Sequence, residues 1–397
     1  MDPVRNPYAP GAGQRPPELA GRDEQVRAFD VVLERVARGR PERSLVLTGL
    51  RGVGKTVLLN ALRGQAVRKG WGTGKLEARP DQSLRRPLAS ALHQAVRELA
   101  HPEQEQADQV LGVLRSFAER QAGADAKLRD RWSPGIDVPA VRGRADSGDV
   151  EIDLVELMND VGGLAADLGK GVAVFLDEMQ DVGPDDVSAL CAACHEVSQS
   201  GLPVIVVGAG LPHLPAVLSA SKSYSERLFS YQRIDRLSRA EADRALTAPA
   251  AEEDAAYDED ALAAMYDATG GYPYFIQAYG KTVWDLAPRT PITASDVAVA
   301  APEAERELAV GFFGSRYERA TPGERDYLRA MADAAGPEAD AVGSVATSEV
   351  AGALGKKPQS LSPARDSLLK KGLIYSGERG RIAFTVPHFG RYLRTQA

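Results

Sequence analysis

Eight consecutive residues have the types and spacing that hold phosphate groups. They are Gly49, Leu50, Arg51, Gly52, Val53, Gly54, Lys55 and Thr56, which match G-x-x-x-x-G-K-[ST] in full. The glycines allow the backbone to curl so that its N–H groups point inward at an anion. Lys55 would then reach the β- and γ-phosphates of a nucleotide, and the Thr56 hydroxyl would hold Mg²⁺. The pattern predicts a site for a nucleoside triphosphate and magnesium.

A second pair of chemically capable residues follows an apolar run at residues 172–176. Asp177 and Glu178 are two carboxylates at the end of this predicted strand, the form of a Walker B motif. Asp177 would bind the Mg²⁺ shell. Glu178 would orient and polarise the attacking water, because phosphoryl transfer depends mostly on positioning and charge stabilisation. An apolar run ending in Asp-Glu is by itself usually a strand that meets solvent, and the first motif makes it specific.

The elements around these residues are those that the chemistry requires. A short apolar strand is predicted at residues 44–48, immediately before the glycine-rich turn, and a helix at 55–68 immediately after it. Further strands are predicted at 172–176 and 204–207. Further helices are predicted at 22–38, 84–99, 107–120, 152–168 and 187–198. Apolar strands that alternate with helices predict an α/β fold with a mostly parallel sheet covered on both faces.

The two motifs together resemble those of the AAA+ P-loop ATPases. The likeness is to the branch that contains archaeal-type ATPases, STAND signalling ATPases and origin-recognition-like initiators, and it covers about residues 19–284 plus the C-terminal tail. The resemblance implies ATP and Mg²⁺ as ligands and hydrolysis of ATP to ADP and phosphate. It also implies a P-loop core followed by an all-helical lid.

The resemblance extends to three further places in the chain. Arg22, within residues 19–23, lies in a segment that contacts adenine in that branch. Arg227, within residues 224–229, lies where such proteins carry an arginine finger, which would act in trans only in an ATP-dependent homo-oligomer. Gly271 and Pro273 resemble the lid motif that reports on nucleotide. The alternatives are a surface arginine in an i,i+4 pair for Arg227 and a simple helix break for the lid motif.

One segment departs from the family pattern. The strand predicted at residues 204–207 is followed by Gly208, Ala209 and Gly210, where AAA+ enzymes usually present a polar side chain to the γ-phosphate. We therefore expect ATP binding with slow turnover, which suits a switch. A nucleotide-binding scaffold without useful turnover stays open as an alternative.

Charge is distributed unevenly along the chain. The whole sequence has a formal charge of −7, but residues 345–397 carry nine Lys and Arg against three Asp and Glu. Three helices followed by two β-like runs at 373–375 and 381–386 predict a winged helix-turn-helix in this tail. The residues predicted to contact DNA are Lys356, Lys357, Gln359, Ser360, Ser362, Arg365, Arg379 and Arg381. A STAND-like switch whose tail binds a protein partner is the alternative.

The organisation along the chain follows from these segments. Residues 1–17 hold five prolines and two glycines and predict an extended arm, not a core element. The nucleotide-binding core is predicted at residues 18–237, with an insertion of helices and loop at 81–150. The helical lid is predicted at 238–317 and the winged helix-turn-helix at 318–397.

Composition excludes other classes of protein. The 397 residues are 44% hydrophobic and 26% charged, which is typical of a folded globular chain and not of a disordered one. No apolar run reaches the ~20 residues of a membrane helix, so we expect no membrane contact and a cytoplasmic location. The two cysteines stand in a C-x-x-C-H pattern that resembles haem attachment. We interpret them as buried residues of an amphipathic helix, since their surroundings have helical spacing.

Overall fold

The computed structural model describes residues 1–11, 13–99, 104–119, 136, 138–336, 344–376 and 378–396. Its centre is a parallel sheet of five strands in the order β2–β3–β4–β1–β5. The strands are β1 (Ser44–Thr48), β2 (Gly72–Glu77), β3 (Val172–Asp177), β4 (Val204–Gly210) and β5 (Phe229–Arg233). The predicted α/β fold with a parallel sheet is confirmed.

Helices cover both faces of this sheet. Before and within the sheet region they are α1 (Asp23–Ala37), α2 (Lys55–Arg68), α3 (Arg85–Leu99), α4 (Gln104–Glu119), α5 (Val150–Asp167), α6 (Pro184–Gln199), α7 (Leu214–Ser221) and α8 (Ser225–Leu228). Side chains alternate along each strand, so Leu47 and Phe175 pack into the same cluster as α1 and α2. Val46 and Val174 point the other way and pack with α3, α5 and α6. Cys191 and Cys194 are buried free thiols on α6.

Two strands of the central sheet, β2 and β5, were not predicted from the sequence. Strand β2 contains Gly72 and Gly74, which lower strand propensity. Both are required by α3, because a Cβ at Gly72 would lie 2.4 Å from the carbonyl oxygen of Ala95, and one at Gly74 would lie 2.3 Å from that of Ala91. Strand β5 pairs only with β1 at the edge of the sheet and keeps four of its five residues partly exposed, so it lacks an apolar run.

The segment predicted as an insertion of helices and loop is joined to the core by a buried ion pair. Arg85 at the start of α3 lies 2.7 Å from Asp153 on α5, and the two side chains are 7% and 0% exposed. The Arg85 guanidinium also lies over the ring of Phe117 and donates to its carbonyl oxygen. Ser147 completes the set by donating to Asp153 from its N–H and its hydroxyl. Part of the predicted loop, within residues 120–137, lies outside the described residues.

Four helices follow the sheet and form what is called here the helical lid. They are α9 (Arg239–Glu252), α10 (Glu259–Thr269), α11 (Pro273–Leu286) and α12 (Ala294–Leu308). A π-helical segment, Ala309–Gly314, and the short α13 (Ser315–Tyr317) continue from α12. The lid shares one continuous hydrophobic cluster with α1, α2 and the C-terminal residues.

The remaining elements form the C-terminal module. They are α14 (Pro322–Ala335), β6 (Val345–Ala346), α15 (Thr347–Ala353), α16 (Ser362–Lys370), β7 (Ile374–Tyr375), β8 (Arg381–Phe384) and α17 (Phe389–Arg394). The strands pair antiparallel in the order β6–β8–β7. Pro363 lies in the first turn of α16, where its missing N–H costs no helical hydrogen bond. Helix α17, which was not predicted, buries Phe389 and Leu393.

The N-terminal arm differs from its prediction. Residues 1–11 contain only one short 3₁₀ helix, Pro3–Arg5, but they do not extend away from the protein. Tyr8 is 4% exposed, donates to the carbonyl oxygen of Leu246 at 2.7 Å and packs edge-on against Trp284. A Cβ at Gly280 would lie 2.9 Å from the Tyr8 ring, so this glycine makes room for it. Tyr8 is therefore a core residue that joins the arm to the lid.

Within the described residues, no helix combines the length and the apolar character needed to cross a membrane.

Candidate functional site

A cavity of about 410 Å³ lies where the glycine-rich loop, the lid and the N-terminal arm meet. The core contributes Arg51, Gly52, Val53, Gly54, Lys55, Thr56, Val57 and Glu178 to its wall. The lid and the segment after it contribute Pro273, Tyr274, Ile276, Gln277, Gly311, Phe312 and Arg316. The arm and the segment that follows it contribute Ala9, Pro10, Gly11, Gly13, Gln14, Pro16, Glu18, Leu19, Ala20 and Arg22.

The glycine-rich loop has the backbone that its sequence predicts. Gly52 and Gly54 have φ angles of +85° and +90°, in the left-handed region that favours glycine. Gly49 faces a different constraint, because a Cβ there would lie 2.2 Å from the carbonyl oxygen of Ile234. Helix α2 begins at Lys55, so the positive end of its dipole lies at the cavity. Gly49 and Leu50 lie behind this wall and do not line the cavity.

Lys55 is buried beneath the loop. Its side chain donates to the carbonyl oxygens of Gly49 at 2.9 Å and Leu50 at 2.8 Å. The pKa of Lys55 is lowered to about 8, mainly by burial and also by the nearby Arg51, against the opposing effect of Glu178 and Asp177. A buried cation whose charged form is disfavoured in this way gains from an added anion.

We expect phosphate binding at Lys55 to take up a proton. An anion beside the ammonium raises its pKa, so Lys55 should be protonated in the complex at pH values where it is mostly neutral in the free protein. At about pH 9 the uptake should approach one proton per ATP bound, and affinity should fall as the pH rises above about 8. Calorimetry of ATP binding in two buffers of different ionisation enthalpy measures this uptake.

The control for proton uptake is the Lys69→Arg variant. Lys69 caps the far end of the same helix, where it pairs with Asp30 and Glu34. This exchange should leave the uptake unchanged. ATP binding without proton uptake at about pH 9 would contradict the prediction that buried Lys55 is mostly uncharged in the free protein at this pH.

Thr56 and Asp177 come together although 121 residues separate them in the sequence. The Thr56 hydroxyl donates to Oδ2 of Asp177 at 2.7 Å. Asp177 is the last residue of β3 and is buried, and its Oδ1 accepts the N–H of Glu178 at 3.0 Å. A hydroxyl and a carboxylate oxygen this close are the hard ligands that Mg²⁺ prefers, so the donor set fits that ion.

Glu178 lies beside the same loop and has two side-chain partners. Its φ angle of +50° is left-handed, which turns the chain sharply after β3. Oε1 accepts a hydrogen bond from Arg51 at 2.8 Å, and Oε2 accepts one from Gln180 at 2.6 Å. Arg51, predicted to contact the nucleotide, thus forms an ion pair with the carboxylate and also lines the cavity.

Arg22 is hydrogen-bonded to the backbone of the glycine-rich loop and of the segment after β5. Its guanidinium donates to the carbonyl oxygens of Val53 at 3.1 Å and Asp235 at 2.7 Å, and also to Gly21. Burial lowers the pKa of Arg22, with Glu241 and Asp235 acting in the opposite direction. Although Arg22 lines the cavity, these side-chain hydrogen bonds go to the backbone around the loop.

The other predicted site residues of the core and lid lie in different positions. Arg227 is exposed on α8 and is not part of the cavity wall. Pro273 lines the cavity at the start of α11, whereas Gly271 does not. Gly271 instead accepts the N–H of Leu237 at 2.8 Å, and a Cβ there would lie 2.5 Å from the carbonyl oxygen of Leu237. It thereby holds the junction between core and lid.

Sequence reasoning missed several residues of the cavity wall. Arg316 lies with its guanidinium 4.1 Å from the centre of the Phe312 ring, and Tyr274 stacks on the same ring. The pKa of Arg316 is lowered to about 10, mainly by burial and also by the nearby Arg51. Gln277 accepts the N–H of Ala9 from the arm at 3.2 Å. No local motif marks these residues, because they reach the cavity only through the packing of the lid.

The lid and the C-terminal module both contact the glycine-rich loop. The N–H of Tyr274 donates to the carbonyl oxygen of Gly52 at 3.2 Å. The N–H of Arg51 donates to the carbonyl oxygen of Thr385, next to β8, at 2.9 Å. A second contact of the module is the stacking of Tyr375 on His213, with ring centres 6.1 Å apart. The loop is therefore hydrogen-bonded to both the lid and the C-terminal module.

The residues predicted to contact DNA fall into two groups. Lys356, Lys357, Gln359 and Ser360 are exposed between α15 and α16, and Arg379 is exposed between β7 and β8. Others have internal partners: Arg365 pairs with Asp366, and Arg381 donates to Ser344. Ser362 is partly buried at the start of α16. Gly377, between the two predicted β-like runs, lies outside the described residues.

Comparison with protein families identifies two matching regions. Residues 18–207 match the AAA ATPase domain, and residues 310–393 match a domain of unknown function, DUF8462. No curated protein matches the chain in sequence.

Comparison with solved structures extends over nearly the whole chain. The Walker-type ATPase PABY2304 of Pyrococcus abyssi has a TM-score of 0.57 and 17% identity, over 96% of this chain and 97% of that one. The RuvB Holliday junction branch migration motor of Thermotoga maritima has a TM-score of 0.44 and 17% identity, over 94% and 96%. Cdc6p from Pyrobaculum aerophilum has a TM-score of 0.43 and 15% identity, over 100% of this chain and 99% of that one. The domain match and the Pyrococcus structure show the fold of an AAA+ P-loop ATPase.

Proposed function

We propose that this chain is an ATP-binding switch that hydrolyses ATP slowly and whose nucleotide state controls a DNA-contacting C-terminal module. In this proposal the core spans residues 18–237, the lid 238–317 and the module 318–397. The observation that carries the proposal is the meeting of Lys55, Thr56, Asp177 and Glu178 beside one cavity walled by core, lid and arm.

The chemistry follows from the position of these side chains. The loop N–H groups, the start of α2 and Lys55 would bind the phosphates of ATP. Thr56 and Asp177 would hold Mg²⁺, which neutralises phosphate charge when it is bound. Glu178 would orient a water molecule toward the γ-phosphorus, with ADP as the leaving group. Arg316 lines the same cavity and would add positive charge beside the phosphates.

Two observations support slow turnover. The end of β4 consists of Gly208, Ala209 and Gly210, so no side chain there can polarise the γ-phosphate. Glu178 is also ion-paired with Arg51, which would have to be shared with the phosphates. Arg227 is exposed and outside the cavity wall, so it would reach a nucleotide only from a neighbouring subunit of an ATP-dependent homo-oligomer.

Coupling to the C-terminal module is supported by the hydrogen bond from the Arg51 N–H to Thr385. Phosphate binding in such a loop uses backbone N–H groups, so an N–H that is held by the module stands in competition with the ligand. The bond from Tyr274 to Gly52 links the lid to the same loop. Nucleotide would thus shift the equilibrium between positions of the module.

DNA contact is supported by the order of elements and by local charge. The module runs α14, β6, α15, a 3₁₀ turn (Pro358–Leu361), α16, β7 and β8, which agrees with the order of a winged helix-turn-helix, and it ends in the additional helix α17. Helix α16 would enter the major groove of DNA, and the turn between β7 and β8 would contact the DNA backbone. Lys356, Lys357 and Arg379 are exposed and form no ion pair with any residue that the structure describes.

The ATPase part of the proposal is tested by two measurements on the intact chain. The chain should bind ATP in a Mg²⁺-dependent manner and release phosphate above background. Failure to bind would overturn the site. Binding without release of phosphate would favour the scaffold without turnover.

The DNA part is tested by the salt dependence of binding to a random-sequence DNA duplex. Changing Lys356, Lys357 and Arg379 to Gln should make the slope of log K against log salt shallower by about two to three, since each phosphate contact contributes about 0.9. Arg381 is left in place because it holds Ser344. The matched control changes three exposed arginines of the nucleotide-binding domain to Gln, namely Arg27, Arg40 and Arg68. An unchanged slope would reject DNA contact and favour a protein partner.

A further inference from the structure

We infer that Gln180 is a positioning residue for Glu178 and that its amide occupies the space that a side chain at the end of β4 would need. The inference rests on the proposed ATPase function, because it concerns the group that would orient the attacking water. Gln180 belongs to the 3₁₀ turn Met179–Asp181, directly after the Walker B pair. It does not line the nucleotide cavity.

The Gln180 amide joins the ends of two neighbouring strands. Its Nε2 donates to Oε2 of Glu178 at 2.6 Å. Its Oε1 accepts the N–H of Leu211 at 3.1 Å, and Leu211 directly follows the last residue of β4. One end of the amide is therefore attached to backbone at the edge of the sheet, and the other end to the candidate catalytic carboxylate.

The glycines at the end of β4 make room for this turn. A Cβ at Gly208 would lie 2.6 Å from Sδ of Met179. A Cβ at Gly210 would lie 2.8 Å from Oε1 of Gln180 and 2.7 Å from Cδ2 of Leu214. A side chain on either of these glycines would therefore require the Met179 thioether or the Gln180 amide to move from its present position. The absence of a side chain at Gly210 leaves room for the Gln180 amide beside the N–H of Leu211.

The two hydrogen-bond partners of the Glu178 carboxylate, Arg51 and Gln180, would affect it differently. Arg51 carries a charge, and it belongs to the loop that would bind phosphates, so its hold on the carboxylate would change with nucleotide. Gln180 is neutral, and its anchor on Leu211 lies outside the nucleotide cavity. It restricts the carboxylate without opposing the polarisation of water. Loss of such positioning costs rate, because a displacement of about 1 Å can reduce turnover by about 100-fold.

The test is the Gln180→Met variant, which keeps the side-chain length but has no N–H donor. We expect kcat to fall by about 10- to 100-fold, while the Kd for Mg²⁺–ATP stays within about twofold because the residue is outside the cavity wall. An unchanged kcat with an active wild type would overturn the inference. A parallel loss of kcat, ATP affinity and thermal stability would also overturn it, in favour of a structural role. Background phosphate release by the wild type would instead overturn the proposed function.

A double-mutant cycle gives a second, independent test. Gly210→Ala should lower kcat in the wild type by displacing Gln180, and should lower it much less in a Gln180→Ala background, where no amide remains to be displaced. The control is Gly183→Ala, just after the turn that contains Gln180, because no atom lies within 4 Å of a Cβ at that position. Equal effects of Gly210→Ala in the two backgrounds would contradict the proposed link.

Discussion

Replacing Lys55 with alanine should weaken Mg²⁺–ATP binding by about 10- to 100-fold. A hydrogen bond to a charged group contributes about 1.5–3 kcal/mol, and each 1.4 kcal/mol is about a factor of ten in Kd. Lys55 is buried directly beneath the glycine-rich loop, so solvent screens its charge little. Titration of a fluorescent ATP analogue, or calorimetry with ATP itself, measures the change.

The control for this experiment is Lys69→Ala. Lys69 also belongs to the α2 region, but it is exposed at the helix end and pairs with Asp30 and Glu34. It should bind ATP as the wild type does. Equal affinity of the Lys55→Ala protein and the wild type would show that the phosphates bind elsewhere, and the proposed site would be rejected.

Replacing Glu178 with glutamine should reduce phosphate release by about 100-fold or more, in the range of about 10²–10⁴ for loss of a proton-accepting group. Glutamine has the size of glutamate but carries no negative charge to polarise a water molecule. ATP binding should persist, because Lys55, Thr56 and Asp177 are untouched. Steady-state phosphate release and equilibrium ATP binding, measured on the same preparations, separate these two effects.

The matched control is Asp185→Asn. Asp185 is an exposed carboxylate at the start of α6, a few residues beyond Glu178, and it lies outside the nucleotide cavity. Its removal should leave turnover unchanged. If wild type and Glu178→Gln both release phosphate at the background rate, the chain is a nucleotide-binding scaffold and not an ATPase.

The Glu178→Gln protein also tests the switch. A variant that binds ATP without hydrolysing it should stay in the ATP-bound arrangement of lid and module. The affinity of the ATP-bound variant for a DNA duplex should therefore equal that of the wild type bound to a non-hydrolysable ATP analogue. This affinity should not change with the time of incubation with ATP, because the variant does not hydrolyse it. DNA affinity that is the same with ATP, ADP and no nucleotide would contradict coupling between the loop and the C-terminal module.

The glycine-rich loop and the strand Val172–Asp177 were predictable because their sequence requirements are local. A left-handed backbone at Gly52 and Gly54 requires glycine whatever surrounds it. An apolar run such as Val172–Asp177 identifies a buried strand of a parallel sheet. These patterns were sufficient to predict the α/β class and the pairing of Thr56 with Asp177, since the carboxyl ends of parallel strands share one edge of the sheet.

The elements that were not predicted have sequences that are explained by packing against other elements and not by local propensity. Gly72 and Gly74 are poor strand residues, and they are present because α3 packs directly on their backbone. Helix α17 is short, and its burial depends on the module around it. The N-terminal arm has the prolines and glycines of an extended segment, yet Tyr8 finds a buried place between Gly280 and Trp284.

The sequence by itself determined which residues form the proposed nucleotide site, because a curled loop, a lysine, a threonine and two carboxylates are specified by short patterns. Only the tertiary structure decided what surrounds that centre. Arg316 over Phe312, Gln180 between Glu178 and Leu211, and Thr385 on the loop are brought together by packing between separate elements. Their positions depend on how helices and strands pack, which no short stretch of sequence encodes.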